Sequence, residues 1–257
     1  MLLQNAIVRK PGPDFADGLT TSKLGPPILK KALEQHARYC AALESCGLTV
    51  TVLDPDLQHP DSTFIEDTAV LTRSSAILTR PGAESRQGEV LGIREPLARF
   101  FSTLHEIRPP GTLDGGDICE VENHFFIGIS QRTNEEGGRQ LANFLARDGY
   151  TSSFLDVRGM KSLLHLKSGV AYLGENNLVV CGELLGRPQF RSYNLIPVSA
   201  EESYAANCLR INAHVLIPTN SPMLDACLKR LGCAIVPLDM SEFQKMDGGL
   251  SCLSLRF

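Results

Sequence analysis

The stretch DGGLSCLSLRF, residues 247–257, decides how the whole chain is interpreted. From Cys252 onward, Leu253, Leu255 and Phe257 alternate with Cys252, Ser254 and Arg256, a period of two that is typical of a half-buried β-strand. Cys252 falls on the polar side of this alternation, whereas most free cysteines pack on the apolar side as small hydrophobic residues. We therefore predict a strand over residues 250–257 and expect a specific task for Cys252.

One pattern recurs along the chain: strand, short polar turn, strand, helical or compact stretch, strand. Four hairpins are predicted, over residues 65–79, 118–129, 170–181 and 208–217. Five single strands are predicted, over residues 48–53, 104–107, 153–157, 195–198 and 234–238. Helices are predicted over residues 27–46 and 222–231, because Gly47 and Gly232 follow them as stop signals. The first helix has one face that we expect to be buried, formed by Leu29, Leu33, Ala37, Cys40 and Leu43.

The ends of the chain supply the hairpin that this pattern lacks. The strand predicted over residues 3–9 has no upstream partner, and the strand over residues 250–257 has no downstream partner. If the two pair with each other, a fifth unit is complete and the ring closes without bare sheet edges. We therefore predict an α/β fold in a single domain, residues 1–257, of five ββαβ modules around a pseudo-fivefold axis.

Composition and charge exclude several classes of protein. Hydrophobic residues make up 43% of the 257 positions and charged residues 21%, which is ordinary for a globular protein. The net charge of −4 and the lack of a basic run argue against nucleic acid and membrane partners. The N-terminal sequence lacks the pattern of a signal peptide, so we expect a cytoplasmic protein. The eight cysteines show no zinc-binding spacing, so we expect free thiols and no metal site.

Residues suited to catalysis occur at equivalent points of separate modules. The set comprises a cysteine, a histidine and several carboxylates: Asp61, Glu66, Asp67, Asp114, Asp117, His165 and Cys252. Each of these residues alone has an ordinary interpretation as a turn, core or surface residue. Their coincidence at matching points of the repeat favours one central catalytic site.

The chemistry of this set is coherent. A thiolate such as that of Cys252 is a strong nucleophile when an imidazolium or a cationic substrate lies nearby. His165, oriented by Asp114, can protonate a leaving group and then accept a proton from water.

The charged residues around this set indicate the shape of the ligand. The clustered carboxylates are costly unless a cation joins them, and a guanidinium fits several carboxylates well. Arg86 and Arg132 could hold an anionic group at the other end of the ligand. Together these residues describe an arginine-like amino acid as the substrate.

The motifs of this chain resemble those of bacterial dimethylarginine dimethylaminohydrolases, in the guanidine-modifying pentein superfamily. The resemblance spans essentially the whole length and is carried by DGLTTSKLG, PDSTFIED, RPGAESR, GGDI, RTNEEG, LHLKSG, EESYAANC and DGGLSCLSLRF. It implies a five-bladed pentein propeller. It also implies hydrolysis of asymmetric dimethylarginine and monomethylarginine to citrulline and an amine, through an S-alkylthiouronium on Cys252.

The same resemblance implies roles for individual residues. The implied catalytic residues are Cys252 as nucleophile, His165 as acid and base, and Asp114 as the third member. The implied substrate-binding residues are Leu19, Asp61, Glu66, Asp67, Arg86, Arg132 and Met246. The resemblance further implies a mobile lid over residues 11–23, no metal or organic cofactor, and a homodimer.

Two alternatives stay open. An arginine deiminase would act on free arginine, but such enzymes usually carry an aspartate two residues after the histidine, where this chain has Lys167. A dimethylated nitrogen has no N–H group, so a buried acceptor at that position would stay unpaired. The more remote alternative is a non-catalytic pentein binding protein, which would not need the matched cysteine, histidine and carboxylates.

Overall fold

The computed structural model describes residues 2–160 and 163–257. Within these residues the strands are β1 (Asn5–Arg9), β2 (Thr49–Leu53), β3 (Ala69–Leu71), β4 (Ala76–Leu78), β5 (Leu104–Glu106), β6 (Ile118–Val121), β7 (His124–Ile129), β8 (Thr151–Asp156), β9 (Val170–Gly174), β10 (Asn177–Cys181), β11 (Asn194–Val198), β12 (Leu209–Ile211), β13 (His214–Pro218), β14 (Ala234–Leu238) and β15 (Ser254–Arg256). The α-helices in the same residues are α1 (Leu29–Ser45), α2 (Leu91–Ala98), α3 (Glu135–Arg147), α4 (Pro222–Arg230) and α5 (Ser241–Gln244). None of the helices in these two ranges is both long and apolar enough to cross a membrane.

Across the two described ranges, the strands form five three-stranded sheets with the same internal topology. In the sheet of β6, β7 and β8, the middle strand pairs antiparallel with the first strand and parallel with the third. A parallel pair requires a crossover connection, and α3 supplies it here. Its Leu141 and Leu145 pack against Ile127 of β7. The predicted module is thus confirmed, although two 3-10 turns replace the helix between β10 and β11.

The closing sheet joins residues from the two ends of the sequence. β15 pairs antiparallel with β1, placing Ser254 opposite Val8 and Arg256 opposite Ala6. β1 also pairs parallel with β2, which follows α1. The prediction that these strands complete a fifth module is therefore confirmed.

The first strand of each hairpin faces the centre of the ring. A cavity of about 220 Å³, here called the axial cavity, is lined by residues of all five modules. Matching positions of the inner strands line it: Leu71 of β3, Glu120 of β6, Tyr172 of β9, Arg210 of β12 and Arg256 of β15. Side chains from distant parts of the sequence therefore meet around one axis.

Two stretches predicted as strands contain 3-10 turns instead. Ser251–Leu253 forms such a turn, so Cys252 does not lie on the polar face of a strand as the alternation predicted. The alternation is misleading because Ser254 and Leu255, on opposite faces of β15, are both buried. Ile65–Thr68 likewise forms a 3-10 turn before β3.

The predicted buried face of the first helix is only partly correct. Leu43 is buried and Leu29 and Cys40 pack against the core, whereas Leu33 is 40% exposed. Ala32, His36 and Tyr39 are buried in α1 although they lie off the predicted face. Tyr39 can occupy the core because its hydroxyl finds partners. It donates, for example, to the carbonyl oxygen of Leu250 at 2.8 Å.

Candidate active site

Short turns that precede the inner strands carry the predicted site residues. The turns concerned are Pro60–Thr63, Ile65–Thr68, Gly115–Asp117, Leu166–Ser168 and Ser251–Leu253. They pack closely, since a methyl group added at Gly115 would collide with the carbonyl oxygen of Glu66. The ring therefore brings turns from four modules to one end of its axis.

Most of the predicted site residues line a single cleft. They are Leu19, Asp61, Asp67, Arg86, Arg132, His165, Met246 and Cys252. A second, adjoining cavity is lined by Glu66 and Lys167 and shares His165 and Cys252 with the cleft. The structure thus brings the cysteine and the histidine together between two spaces, with Glu66 in the second one. Asp114 is fully buried and reaches the site through His165.

His165 is held by buried carboxylates. Its Nε2 lies 3.0 Å from Oδ2 of Asp114, whose Oδ1 accepts the N–H of Gly82 at 2.8 Å. Burial disfavours the imidazolium, but the surrounding carboxylates of Asp67, Asp117 and Asp114 outweigh it and raise the pKa of this ring to about 9. The pKa of Asp114 is lowered, because the hydrogen bond and charge of His165 overcome its burial. At neutral pH the pair is therefore an imidazolium and a carboxylate, which suits proton donation.

Cys252 is a half-buried thiol in a tight turn. Its Sγ accepts the N–H of Gly249 at 3.4 Å. Gly249 is needed at this position because a methyl group there would collide with the side chain of Asn207. Burial, followed by the charges of Glu66 and Asp67, raises the pKa of this thiol to about 12. The free site therefore holds a protonated cysteine, and a cation that offsets the carboxylates would favour its ionisation.

Glu66 and Asp67 are adjacent in sequence but point to different partners. Glu66 accepts Lys167 Nζ at 2.7 Å, Ser251 Oγ at 2.7 Å and Arg256 Nη2 at 2.9 Å. Asp67 instead accepts the N–H of Gly116 at 2.8 Å and faces the cleft. The shared guanidinium-binding role of the two carboxylates stays a prediction.

Arg86 is buried and paired on both sides. Its Nη1 donates to Asp67 at 2.7 Å, and its Nε and Nη2 donate to Glu89 at 2.9 Å each. Burial raises the pKa of Glu89 to about 7, although the charge of Arg86 opposes the shift. Sequence reasoning missed Glu89, and its position three residues after Arg86 in a turn was the available signal.

The predicted lid, residues 11–23, lies against the mouth of the cleft. The N–H of Leu19 donates to both carboxylate oxygens of Asp61, at 3.0 and 3.1 Å. Thr21 Oγ1 donates to Asp247 at 2.9 Å, on the loop that leads to the nucleophile turn. Burial raises the pKa of Asp61, while the charge of Arg86 and the bond from Leu19 oppose the shift. These hydrogen bonds hold the segment against the cleft, and its role as a mobile lid stays a prediction.

Asp67, Asp114 and His165 are the residue types that bind divalent cations, and their ligand atoms lie within 4.8 Å of one another. His165 already pairs with Asp114 at 3.0 Å, and Asp67 already accepts Arg86 at 2.7 Å. The trio therefore has the geometry of an ion-pair network.

Comparison with known proteins identifies the family. A sequence model of the family described as eukaryotic N,N dimethylarginine dimethylhydrolase matches residues 21–253. N(G),N(G)-dimethylarginine dimethylaminohydrolase of Pseudomonas aeruginosa is 46% identical over 257 residues, with all of both chains covered. The chain belongs to the dimethylarginine dimethylaminohydrolase family. The resemblance stated from the motifs is thereby confirmed.

Solved structures of dimethylarginine dimethylaminohydrolases have the same fold as this chain. The Pseudomonas aeruginosa protein, as a cysteine-to-serine mutant complexed with citrulline, superposes with a TM-score of 0.97 at 44% identity and full coverage of both chains. A histidine-to-glycine form in an adduct with S-methyl-L-thiocitrulline superposes with a TM-score of 0.96 at 45% identity, again with full coverage of both. The five-module architecture is confirmed, and the roles of individual residues stay predictions.

Proposed function

We propose that this protein hydrolyses Nω-methylated arginines to L-citrulline, releasing dimethylamine or methylamine. One observation carries the proposal: Cys252 and His165 line the same cleft as the carboxylates of Asp61 and Asp67. The relative from Pseudomonas aeruginosa, which matches the whole chain, carries the name of this activity. Its complex with citrulline, and the S-methyl-L-thiocitrulline adduct of a histidine-to-glycine dimethylarginine dimethylaminohydrolase, support the product and a covalent intermediate.

We infer the placement of the substrate from the charges of the cleft. The guanidinium lies next to Asp67, with Glu66 on its other side, in the adjoining cavity. Arg132 is half-buried and faces the cleft, so it meets the α-carboxylate of the substrate. Arg86 lies behind it with its guanidinium already paired. The α-amino end of the substrate lies by Leu19 and Asp61, and Met246 lies beside the alkylated nitrogen.

The first half of the proposed reaction breaks the bond to the methylated nitrogen. The bound guanidinium offsets the carboxylates that raise the pKa of Cys252, so the thiol releases its proton to solvent. The thiolate attacks the central guanidinium carbon and forms a C–S bond. His165, protonated at neutral pH, gives its proton to the departing amine as the C–N bond breaks. An S-alkylthiouronium remains on Cys252, and His165 is left neutral.

The second half releases citrulline. Neutral His165 takes a proton from water, and the resulting hydroxide adds to the thiouronium carbon. The C–S bond then breaks, the hydroxyl proton passes to solvent, and citrulline and the Cys252 thiolate separate, with His165 again protonated. Asp114 holds the imidazole in place throughout, through its 3.0 Å contact with Nε2.

Lys167 supports a methylated substrate over free arginine. Its Nζ pairs with Glu66 at 2.7 Å, so this position offers the substrate no additional acceptor. A dimethylated nitrogen has no N–H group to donate, so its binding leaves no buried acceptor unpaired in such a site.

The decisive experiment incubates the purified protein with asymmetric dimethylarginine, monomethylarginine or arginine and measures citrulline. We expect turnover of the two methylated substrates and none of arginine. Cys252→Ser is expected to abolish turnover, whereas Cys40→Ser, a half-buried cysteine of α1, keeps it. Turnover of arginine alone would assign the protein as a deiminase, and an active Cys252→Ser variant would contradict the proposed mechanism.

We further propose a single domain over residues 1–257, a cytoplasmic location and a homodimer. The joining of β1 and β15 in one sheet supports the single domain, and eight free cysteines suit a reducing compartment. Light scattering coupled to size-exclusion chromatography measures the oligomeric state directly, and a monomeric mass would contradict the dimer.

A further inference from the structure

Arg256 of β15 reaches back to the turn that carries Cys252. Its Nη1 donates to the carbonyl oxygen of Ser251 at 2.9 Å and to that of Ser254 at 2.6 Å. The same nitrogen lies 2.8 Å from Ser254 Oγ. The two carbonyl groups stand on either side of Cys252 in the chain. One guanidinium thus spans the nucleophile turn.

The other side of Arg256 connects this turn to a different module. Its Nη2 donates to Glu66 Oε1 at 2.9 Å, and Glu66 Oε2 accepts Ser251 Oγ at 2.7 Å. Glu66 is 3% exposed and belongs to the turn before β3. The nucleophile turn is therefore fixed to the second module at two points, directly by Ser251 and through Arg256.

We propose that Arg256 is a positioning residue for the Cys252 nucleophile, an inference that rests on the proposed function. A planar guanidinium can donate to two carbonyl groups and a carboxylate at once, whereas a lysine ammonium offers one compact charge. The proposed attack requires Sγ to meet the guanidinium carbon in a narrow range of geometry. A misplacement of about 1 Å can cost about 100-fold in rate.

The chain provides a matched control at the same level of the ring. Arg210 of β12 also lines the axial cavity and also donates to backbone carbonyls, those of Leu173 and Asn212. Neither carbonyl lies beside Cys252 or His165 in the chain. Arg210→Met therefore removes a comparable half-buried guanidinium without releasing the nucleophile turn.

The experiment compares Arg256→Met, Arg256→Lys and Arg210→Met with the wild type. For Arg256→Met we expect kcat to fall by about 100-fold with little change in KM, because Asp61 and Asp67 do not contact Arg256 and Glu66 keeps its bonds to Lys167 and Ser251. The kcat of Arg256→Lys is expected to stay close to that of Arg256→Met, since a lysine restores the positive charge but not the hydrogen bonds of the guanidinium. Arg210→Met is expected to keep wild-type kcat. A wild-type kcat in Arg256→Met, or full recovery with lysine, overturns the proposal.

A second readout does not depend on the substrate. Iodoacetamide is added to the free proteins, and the modification of each cysteine is followed by mass spectrometry. A released turn is expected to make Cys252 react several-fold faster in Arg256→Met, while buried Cys119 and Cys208 stay protected. Equal labelling of Cys252 in both proteins, or simultaneous exposure of the buried cysteines, contradicts a positioning role. If the wild type fails to turn over methylarginines, the proposed function falls, and this labelling still decides the role of Arg256.

Ser251→Ala covers the case in which Arg256→Met does not fold. It removes the direct bond between the nucleophile turn and Glu66 but leaves β15 intact. We expect kcat to fall by about 10-fold with unchanged KM, because one of the two attachments remains. Wild-type kcat in this variant counts against fixation of the turn by Glu66.

Discussion

Replacing His165 with asparagine is expected to remove a pH-dependent part of the stability of the fold. The buried ring is surrounded by the carboxylates of Asp67, Asp114 and Asp117, so its pKa in the folded protein is raised from 6.5 to about 9. A raised pKa means that folding favours the protonated ring. The contribution of the His165 ring to the free energy of unfolding is fully present below pH 6.5 and is lost as the pH rises through 9.

The size of this contribution follows from the two pKa values. The gap between 6.5 and about 9, at about 1.4 kcal/mol per pH unit, corresponds to about 3 kcal/mol of unfolding free energy. The wild type is therefore expected to lose about 3 kcal/mol more than His165→Asn between pH 6.5 and pH 9.5. Cysteine and tyrosine groups also begin to titrate near the upper limit, but they are common to both proteins and cancel in the difference.

Urea unfolding at intervals of half a pH unit measures this difference. His36 provides a matched control, because burial lowers the pKa of this second buried histidine to about 4 and keeps it neutral throughout the range. Above pH 7, the unfolding free energy of His36→Asn is thus expected to change with pH in parallel with that of the wild type, whatever its absolute value. Parallel curves for His165→Asn and the wild type would refute the charge assignment of the site.

Three further substitutions test other contacts. Asp114→Asn is expected to lower the pKa of His165, shifting the alkaline limb of the pH–rate profile to lower pH and reducing kcat by about 100-fold or more. Asp61→Asn removes the charge that accepts the lid N–H, so KM is expected to rise about 10-fold, as initial rates against methylarginine concentration will show. Gly115→Ala brings a methyl group against a backbone carbonyl, and urea unfolding is expected to show a loss of about 1–3 kcal/mol. Gly186→Ala, which meets no atom within 4 Å, serves as its neutral control.

The five-module ring could be predicted from the sequence because it follows from the number and order of the strands. Hairpins and single strands recur in one order, and two unpaired strands remained at the ends of the sequence for the closing sheet. The local environment of each strand could not be predicted in the same way. Ser254 on one face of β15 contacts Tyr39 of α1, and Leu255 on the other face packs with Ile65, so both faces are covered and the alternation carries no information about exposure. The core face of α1 was partly missed for a related reason, since Tyr39 is buried through bonds to residues 250 and 254.

The candidate site shows the same division between what can and cannot be predicted. Residue type and position in the repeat were enough to select Cys252 and His165 as neighbours, because each inner strand delivers the residues before it to one end of the axis. Pairing between side chains depends on their final orientation. Arg86 and Asp67 were assigned to opposite ends of a ligand, and the structure places them 2.7 Å apart. No spacing in the sequence distinguishes a carboxylate that faces a ligand from one that holds an arginine.

The closing sheet also explains how a nucleophile near the end of a sequence can be held rigidly. Residues near chain ends fray unless other elements hold them. Here the N–H of Phe257 donates to Asn5 at 3.0 Å, and its ring packs against Phe100 and Phe101 with centroids 4.9 and 5.0 Å away. These contacts anchor the outer end of β15, while Arg256 and Ser251 anchor the turn before it. Both ends of the segment that follows Cys252 are therefore fixed to other modules, and the position of the thiol is set by the ring as a whole.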